Sequence, residues 1–289
     1  MKTDTATSAQ PEPISCFVEI NGLKLHYLDW GGKTGGNTFL LLHGGAAHVH
    51  WWDEVAPRLT PFGRVLALDF RGHGLSEWSR PPFYGPLAYI ADLIKFIEQL
   101  KTRVVLVGHS MGGAVAQWTA IERPDLLKAL VIIDAFPGAP PLWRRLLWRW
   151  RRKVQGGERP QLDSAESIVR KFRFSPPGNY MSPAAFRRLA LAGAEQLPNG
   201  RWAFRFDPET RAWRKISRHV PPMRLRRIAV PTMILRGAES TILRPWRAKS
   251  MRRRIRGSIL KEIPRAFHHV PLDNPADTAA AIVDFAESK

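Results

Sequence analysis

The chain has 289 residues, 44% of them apolar, enough to bury a substantial core as one large domain or as a domain carrying an insertion. Its formal charge is +19 and its only cysteine is Cys16, so an intramolecular disulfide and a cysteine-rich metal site are excluded. The opening MKTDTATSAQPEP lacks the basic-then-apolar pattern of a secretory leader, and no stretch reaches the roughly 18 apolar residues of a spanning helix; a soluble, cytoplasmic protein is expected.

The first elements, SCFVEI and LKLHYLDW, flank Asn21-Gly22 and predict a β-hairpin. FLLLH (39–43) and RVLALD (64–69) follow as strands. PLAYIADLIKFIEQL (86–100) predicts a helix whose buried stripe comprises Leu87, Ile90, Leu93, Ile94, Ile97 and Leu100. RVVLVG (103–108), ALVIID (129–134), PTMILR (231–236) and SILKEI (258–263) complete a set of near-continuous apolar runs, as expected of parallel strands covered on both faces. A last helix begins after Asn274-Pro275.

The middle third breaks this βα rhythm. Between Pro137 and Arg227, 21 Lys or Arg face 6 Asp or Glu, and proline clusters replace the strand pattern. A helical insertion over 137–227 is therefore expected, dividing a core of 14–136 and 228–289. Within it, LWRRLLWRWRRKV (142–154) puts Leu142, Trp143, Leu146, Leu147, Trp150 and Val154 on one helical face and arginines on much of the other. Such a helix suits either packing over a core or weak association with an anionic membrane surface. Dense arginine with interleaved aromatics also fits phosphate binding, but no nucleic-acid motif accompanies it.

The strongest chemical signal is VVLVGHSMGGAVAQW, in which a strand enters Gly108-His109-Ser110-Met111-Gly112 and a small-residue helix follows at once. That is the context of a G-x-S-x-G nucleophile elbow, a turn so tight that its serine is strained and lifted above the sheet edge. The Met111 N–H is then aimed at a developing oxyanion. A second donor belongs in the loop after FLLLH: the Gly45 N–H is favoured, with that of Ala46 as the alternative. His43 is read as a loop brace, His48 and His50 as wall or surface residues, and His109 as structural, because a residue beside the elbow serine projects away from it.

Taken together, HGG, LDFRGHGLS (68–76), GHSMGG and HHVPLDNP (268–275), in this order and at these separations, resemble the α/β-hydrolase fold family. The resemblance implies an eight-stranded, mostly parallel sheet with helices on both faces, a helical cap inserted after the sixth strand, and no cofactor or metal. It makes Asp69, Arg71 and Ser76 loop braces. It also implies a catalytic histidine five residues before Asp273, which is His268 rather than His269.

The triad acid is the open point. Relatives resembling RGxxSDxL carry an aspartate where RGAESTIL (236–243) has Thr241, which can supply no charge to an imidazolium. Two substitutes stand nearby. Glu239 is two positions upstream; Asp134 ends an apolar strand at the same edge and keeps the chain order serine, acid, histidine. The second is favoured, since rigid structure fixes a strand end. The expected protein is a serine hydrolase that cleaves a carboxylic ester, thioester or lactone of a small apolar or aromatic substrate, with Ser110, His268 and Asp134 as triad and Gly45 and Met111 as oxyanion donors. The alternatives are a non-catalytic receptor on the same fold and a lipid esterase working at a membrane surface.

Overall fold

The computed structural model describes residues 12–136, 159–212 and 220–289. The basic stretch 142–154 lies outside the described residues. Strands β1 (Ile14–Ile20) and β2 (Leu23–Gly32) form the expected hairpin, with Asn21 and Gly22 both at positive φ in the turn. They are followed by β3 (Asn37–Leu42), β4 (Gly63–Leu68), β5 (Val104–His109) and β6 (Leu127–Ile133). After an excursion of the chain come β9 (Thr232–Gly237) and β10 (Ile259–Ile263). The sheet order is β1-β2-β4-β3-β5-β6-β9-β10, antiparallel at β1-β2-β4 and parallel thereafter.

The continuous apolar runs are explained by the two faces. Leu106, Leu130 and Ile132 point into a cluster with Leu93 of α2 (Pro86–Leu100), Val115 of α3 (Met111–Glu122) and Met251 of α6 (Pro245–Arg254). Their strand neighbours Val105, Val107, Val131 and Ile133 point the other way, against Leu59 of α1 (Ala56–Leu59) and Ile282 and Phe285 of α7 (Pro275–Glu287). Each such side chain is worth about 1.5–3 kcal/mol on burial. A polar residue in either alternating set would therefore face a helix, not water.

One residue of the predicted α2 stripe departs from expectation. Leu87 is 61% exposed, because the buried face is centred on Ile90, Leu93 and Ile97 and widened by Tyr89 and Phe96 on the far side from Leu87. The excursion between β6 and β9 also differs from a purely helical insertion. Helices α4 (Ala165–Lys171) and α5 (Pro183–Ala192) are joined there by a small antiparallel pair, β7 (Ala194–Gln196) and β8 (Trp202–Phe204). The turn between them closes with Leu197 N–H donating to the Arg201 carbonyl and places Gly200 at φ 80°. Strands of three residues are too short to announce themselves as alternation. Among the described residues no helix is long and apolar enough to cross a membrane.

Because β3, β5, β6, β9 and β10 run parallel, the loops that leave them gather at one edge. His43–Gly45, Ser110, Asp134, Glu239–Thr241 and His268 are consequently brought together from widely separated parts of the chain, the arrangement by which open α/β sheets build sites.

Candidate active site

Ser110 stands between β5 and α3 at φ 52°, ψ −111°, a strained conformation for a residue with a side chain. The flanking glycines are needed for close approach. A Cβ on Gly108 would lie 2.5 Å from the Gly112 carbonyl oxygen, and one on Gly112 would lie 2.6 Å from that of Leu42. The turn is tied down when the Ser110 N–H donates to the Ile133 carbonyl and the Gly112 N–H to that of His43.

The hydroxyl of Ser110 is 3.0 Å from Nε2 of His268, and Nδ1 of His268 is 2.9 Å from Oδ1 of Asp134. Asp134 can only accept, so Nδ1 carries the proton and Nε2 presents its lone pair to the serine. Asp134 is wholly buried, where an unpaired carboxylate would be costly, but it is well supplied with donors. Oδ2 accepts from the Gly237 N–H at 3.1 Å; Oδ1 accepts from the Ser240 hydroxyl at 2.6 Å and the Leu243 N–H at 3.3 Å. All three come from the loop in which sequence reasoning looked for an acid.

Neither rival residue faces the imidazole. Glu239 is exposed and accepts the Tyr180 hydroxyl through both oxygens, at 2.8 and 2.7 Å, while Thr241 is also exposed. His269 points elsewhere: its Nε2–H donates to the Pro176 carbonyl at 3.1 Å, and burial drives its pKa down to about 3. His109 is likewise turned away from the serine. Its Nε2–H donates to the main-chain carbonyl of His268 at 2.9 Å, and burial holds its pKa well below the usual histidine value. It thus pins the backbone of the residue that meets Ser110.

The loop after β3 lies against the elbow. A Cβ on Gly44 would be 3.4 Å from that of Ser110, and a Cβ on Gly45 would be 3.8 Å from the Met111 sulfur. The Ala46 N–H is committed, donating to Nε2 of His73 at 3.2 Å, which leaves Gly45 as the better placed of the two expected donors. His43 Nδ1–H donates to the Gly44 carbonyl at 2.7 Å and its Nε2 accepts from the Phe70 N–H at 3.1 Å. Burial lowers its pKa to about 3, so this ring is a neutral strut. His48 is buried against Gly193 and His50 pairs with Asp53 at the surface. Asp69 accepts from His26 and from the Val49 and Leu75 N–H groups; Ser76 bridges its carbonyl to the His26 N–H; Arg71 makes two 2.6 Å bonds to Asp92.

Several supports escaped the sequence reading. Asp92 is a buried acid on the apolar face of α2, and that misplaced polarity is the signal that could have found it. Asp273 accepts from the Tyr180 and Phe267 N–H groups, both at 2.8 Å; burial raises its pKa to about 6. It fixes the start of the His268 loop and joins it to the excursion after β6. An apolar cluster of Ala47, Trp51, Phe174, Leu189 and Leu272 adjoins these residues, with Trp51 stacked on His109 at 5.9 Å and edge-on to His269 at 5.2 Å.

One ring nitrogen from each of His109, His268 and His269 lies within 4.8 Å of the other two, a set able in principle to ligate a metal. Both nitrogens of His268 are engaged by Asp134 and Ser110, however, so an ion there would have to break that chain of hydrogen bonds.

The sheet order, the strained elbow and the convergent serine and histidine define a hydrolase fold of the α/β class. A family profile described as the alpha/beta hydrolase family matches residues 39–281, and the chain belongs to that family. It is 30% identical over 224 residues to an sn-1-specific diacylglycerol lipase of Mus musculus, covering 77% of this chain and 71% of the relative. It is 31% identical over 183 residues to an esterase of Mycobacterium tuberculosis, covering 62% of this chain and 59% of that protein. Among solved structures, the thioesterase domain from the curacin biosynthetic pathway superposes with a TM-score of 0.81 at 23% identity, covering 94% of this chain and 99% of that one. E-2-(acetamidomethylene)succinate hydrolase gives a TM-score of 0.80 at 23% identity, covering 96% and 100%. The named relatives are hydrolases, and hydrolase activity is the property this chain shares with them.

Proposed function

We propose that the protein is a serine esterase that works through an acyl-enzyme on Ser110. The observation that carries this reading is the unbroken chain from Asp134 through His268 to the Ser110 hydroxyl, with bonds of 2.9 and 3.0 Å. In the proposed reaction His268 Nε2 takes the hydroxyl proton as Oγ attacks the substrate carbonyl. Asp134 stabilises the imidazolium that results. The Met111 and Gly45 N–H groups stabilise the tetrahedral oxyanion, His268 returns the proton to the departing alcohol, and water then releases the acyl group by the same steps.

Ester cleavage is preferred because the mouse relative is named as a lipase and the mycobacterial one as an esterase. A serine at the elbow does not suit epoxide or haloalkane opening, which calls for a carboxylate nucleophile there. The cluster around Trp51 and Phe174 supports an apolar or aromatic group on the acyl or alcohol side. In this reading the described residues 159–212 of the insertion expected over 137–227 act as a cap over the site, anchored through Pro176 and Tyr180. Thr241, which supplies no carboxylate and so invites a non-catalytic reading, is exposed, and the Asp134 carboxylate stands within hydrogen-bonding distance of His268.

The test is labelling by a fluorophosphonate probe beside turnover of chromogenic esters of graded chain length. Labelling of the native chain that is lost in Ser110→Ala, together with ester turnover, supports the proposal. A folded native chain that neither labels nor turns over any ester overturns the proposal and favours the non-catalytic receptor.

A further inference from the structure

We propose that the outer face of α6, with the turn at Pro222–Arg227 that packs on it, is a docking surface for bilayers containing anionic phospholipid. The helix is two-sided. Ala248, Met251 and Ile255 are buried in the core, while Lys249, Arg252, Arg253 and Arg256 are exposed, joined by Arg226 and Arg227 from the turn. Neither 220–232 nor 243–258 contains a single Asp or Glu. Among the described residues, none of these six cations has an ion-pair partner, although Lys and Arg make thirteen such pairs elsewhere in them. A solvated helix face normally mixes its signs; this one concentrates like charge, which an anionic surface complements.

Two large apolar side chains on the same surface select the kind of anion. Trp246 and Met223 are each 61% exposed, on the first turn of α6 and on the adjoining turn. A nucleic acid would use the cations and an indole, whereas an aliphatic thioether exposed beside them on the surface suits a lipid interface better. One face of the Trp246 ring is also covered by Arg247, 5.0 Å from its centroid. A lipid interface accommodates both: tryptophan and methionine enter the headgroup boundary while arginines meet phosphates. Arg247 also lies over the Phe136 ring at 4.2 Å, two residues beyond Asp134, so the surface borders the edge of the sheet where Ser110 stands.

Binding is measured with the full chain by cosedimentation with phosphatidylcholine vesicles, with and without phosphatidylglycerol, at low and moderate salt. The expected result is binding that requires phosphatidylglycerol and weakens with salt. At roughly one kcal/mol per basic residue, Arg252→Gln/Arg253→Gln/Arg256→Gln weakens it about a hundredfold while solution ester turnover is unchanged. Trp246→Ala weakens it about tenfold. Quenching of native-chain fluorescence by brominated acyl chains falls in Trp246→Phe. Ser110→Ala binds as the native chain does, so the result stands apart from the esterase reading. No dependence on phosphatidylglycerol, or full binding by the triple variant, overturns the proposal. So does duplex DNA that binds more tightly than vesicles and loses its affinity in the triple variant, which would make this a nucleic-acid surface.

Discussion

The ends of β6 and β9 are neighbouring strand termini at one edge of the sheet, and each is followed by an acidic residue within two positions. Only one of them meets His268. Asp134 is held directly at the end of its strand, with φ at 44°, whereas Glu239 lies on the outer side of a loop and holds Tyr180. The β9 loop nevertheless takes part: through Gly237, Ser240 and Leu243 it donates three hydrogen bonds to the Asp134 carboxylate. A loop that resembles an acid-bearing segment has become the solvent shell of an acid borne next door. Position along the chain is therefore a poor guide to which carboxylate meets the imidazole. What matters is a carboxylate fixed within reach of Nδ1 and held there by hydrogen-bond donors of the chain itself.

The contrast is broken most severely by Asp134→Asn, which is expected to lower ester turnover about 10⁴-fold with the fold retained, as judged by steady-state kinetics beside circular dichroism. Ser240→Ala removes the shortest of the donors to Asp134. A hydrogen bond to a charged group is worth roughly 1.5–3 kcal/mol, so a loss of about tenfold to a hundredfold in turnover is expected, and an unchanged rate would detach the β9 loop from the mechanism. Glu239→Gln should change turnover less than about twofold, because its partner is the Tyr180 hydroxyl, on the surface. Equal losses in Asp134→Asn and Glu239→Gln would erase the distinction between the two strand ends.

The most diffuse effect, spread over several buried groups rather than one side chain, is on stability against pH. His43 and His269 have pKa values lowered to about 3, and His48 to about 4, in each case chiefly by burial. Unfolding restores values near 6.5, so the unfolded chain binds more protons below that pH. Their contribution is complete above about pH 6.5 and is lost as pH falls toward 4, at up to about 1.4 kcal/mol per pH unit for each ring. Asp273, raised to about 6, acts in the opposite sense, favouring the folded chain below about pH 4 and losing that effect as pH rises through 6. Urea melts between pH 4 and 7 should show net loss on acidification; a flat profile would mean that the buried imidazoles are hydrated in solution.

Much of this architecture was legible in the residues. Strands buried on both faces are apolar at every position, so their runs stand out, and the elbow advertises itself because glycine at 108 and 112 is the only residue that fits where main chain meets main chain. The family resemblance implied His268 through its spacing from Asp273, and the structure shows a physical reason for that spacing: the Asp273 carboxylate caps the Phe267 N–H, one residue before the imidazole. Less was legible in contacts that cross long stretches of chain. The Tyr180–Glu239 pair and the His109 bond to the His268 carbonyl have no local pattern, since each joins residues brought together only by the completed sheet. Leu87 was misread for a different reason: on a helix whose apolar stripe is broad, period alone does not say which margin faces the core.

Two of the residues at the carboxyl edge, Ser110 and Asp134, are held in backbone conformations that glycine would adopt with less strain, at an energy of roughly 1–3 kcal/mol each. For Asp134 the hydrogen bonds that its carboxylate accepts offset that strain, whereas the polypeptide would be sturdier without the Ser110 side chain. Ser110→Gly is expected to melt at a higher temperature than the native chain while showing no ester turnover, a direct reading of how much durability the fold forgoes to hold a reactive hydroxyl aloft.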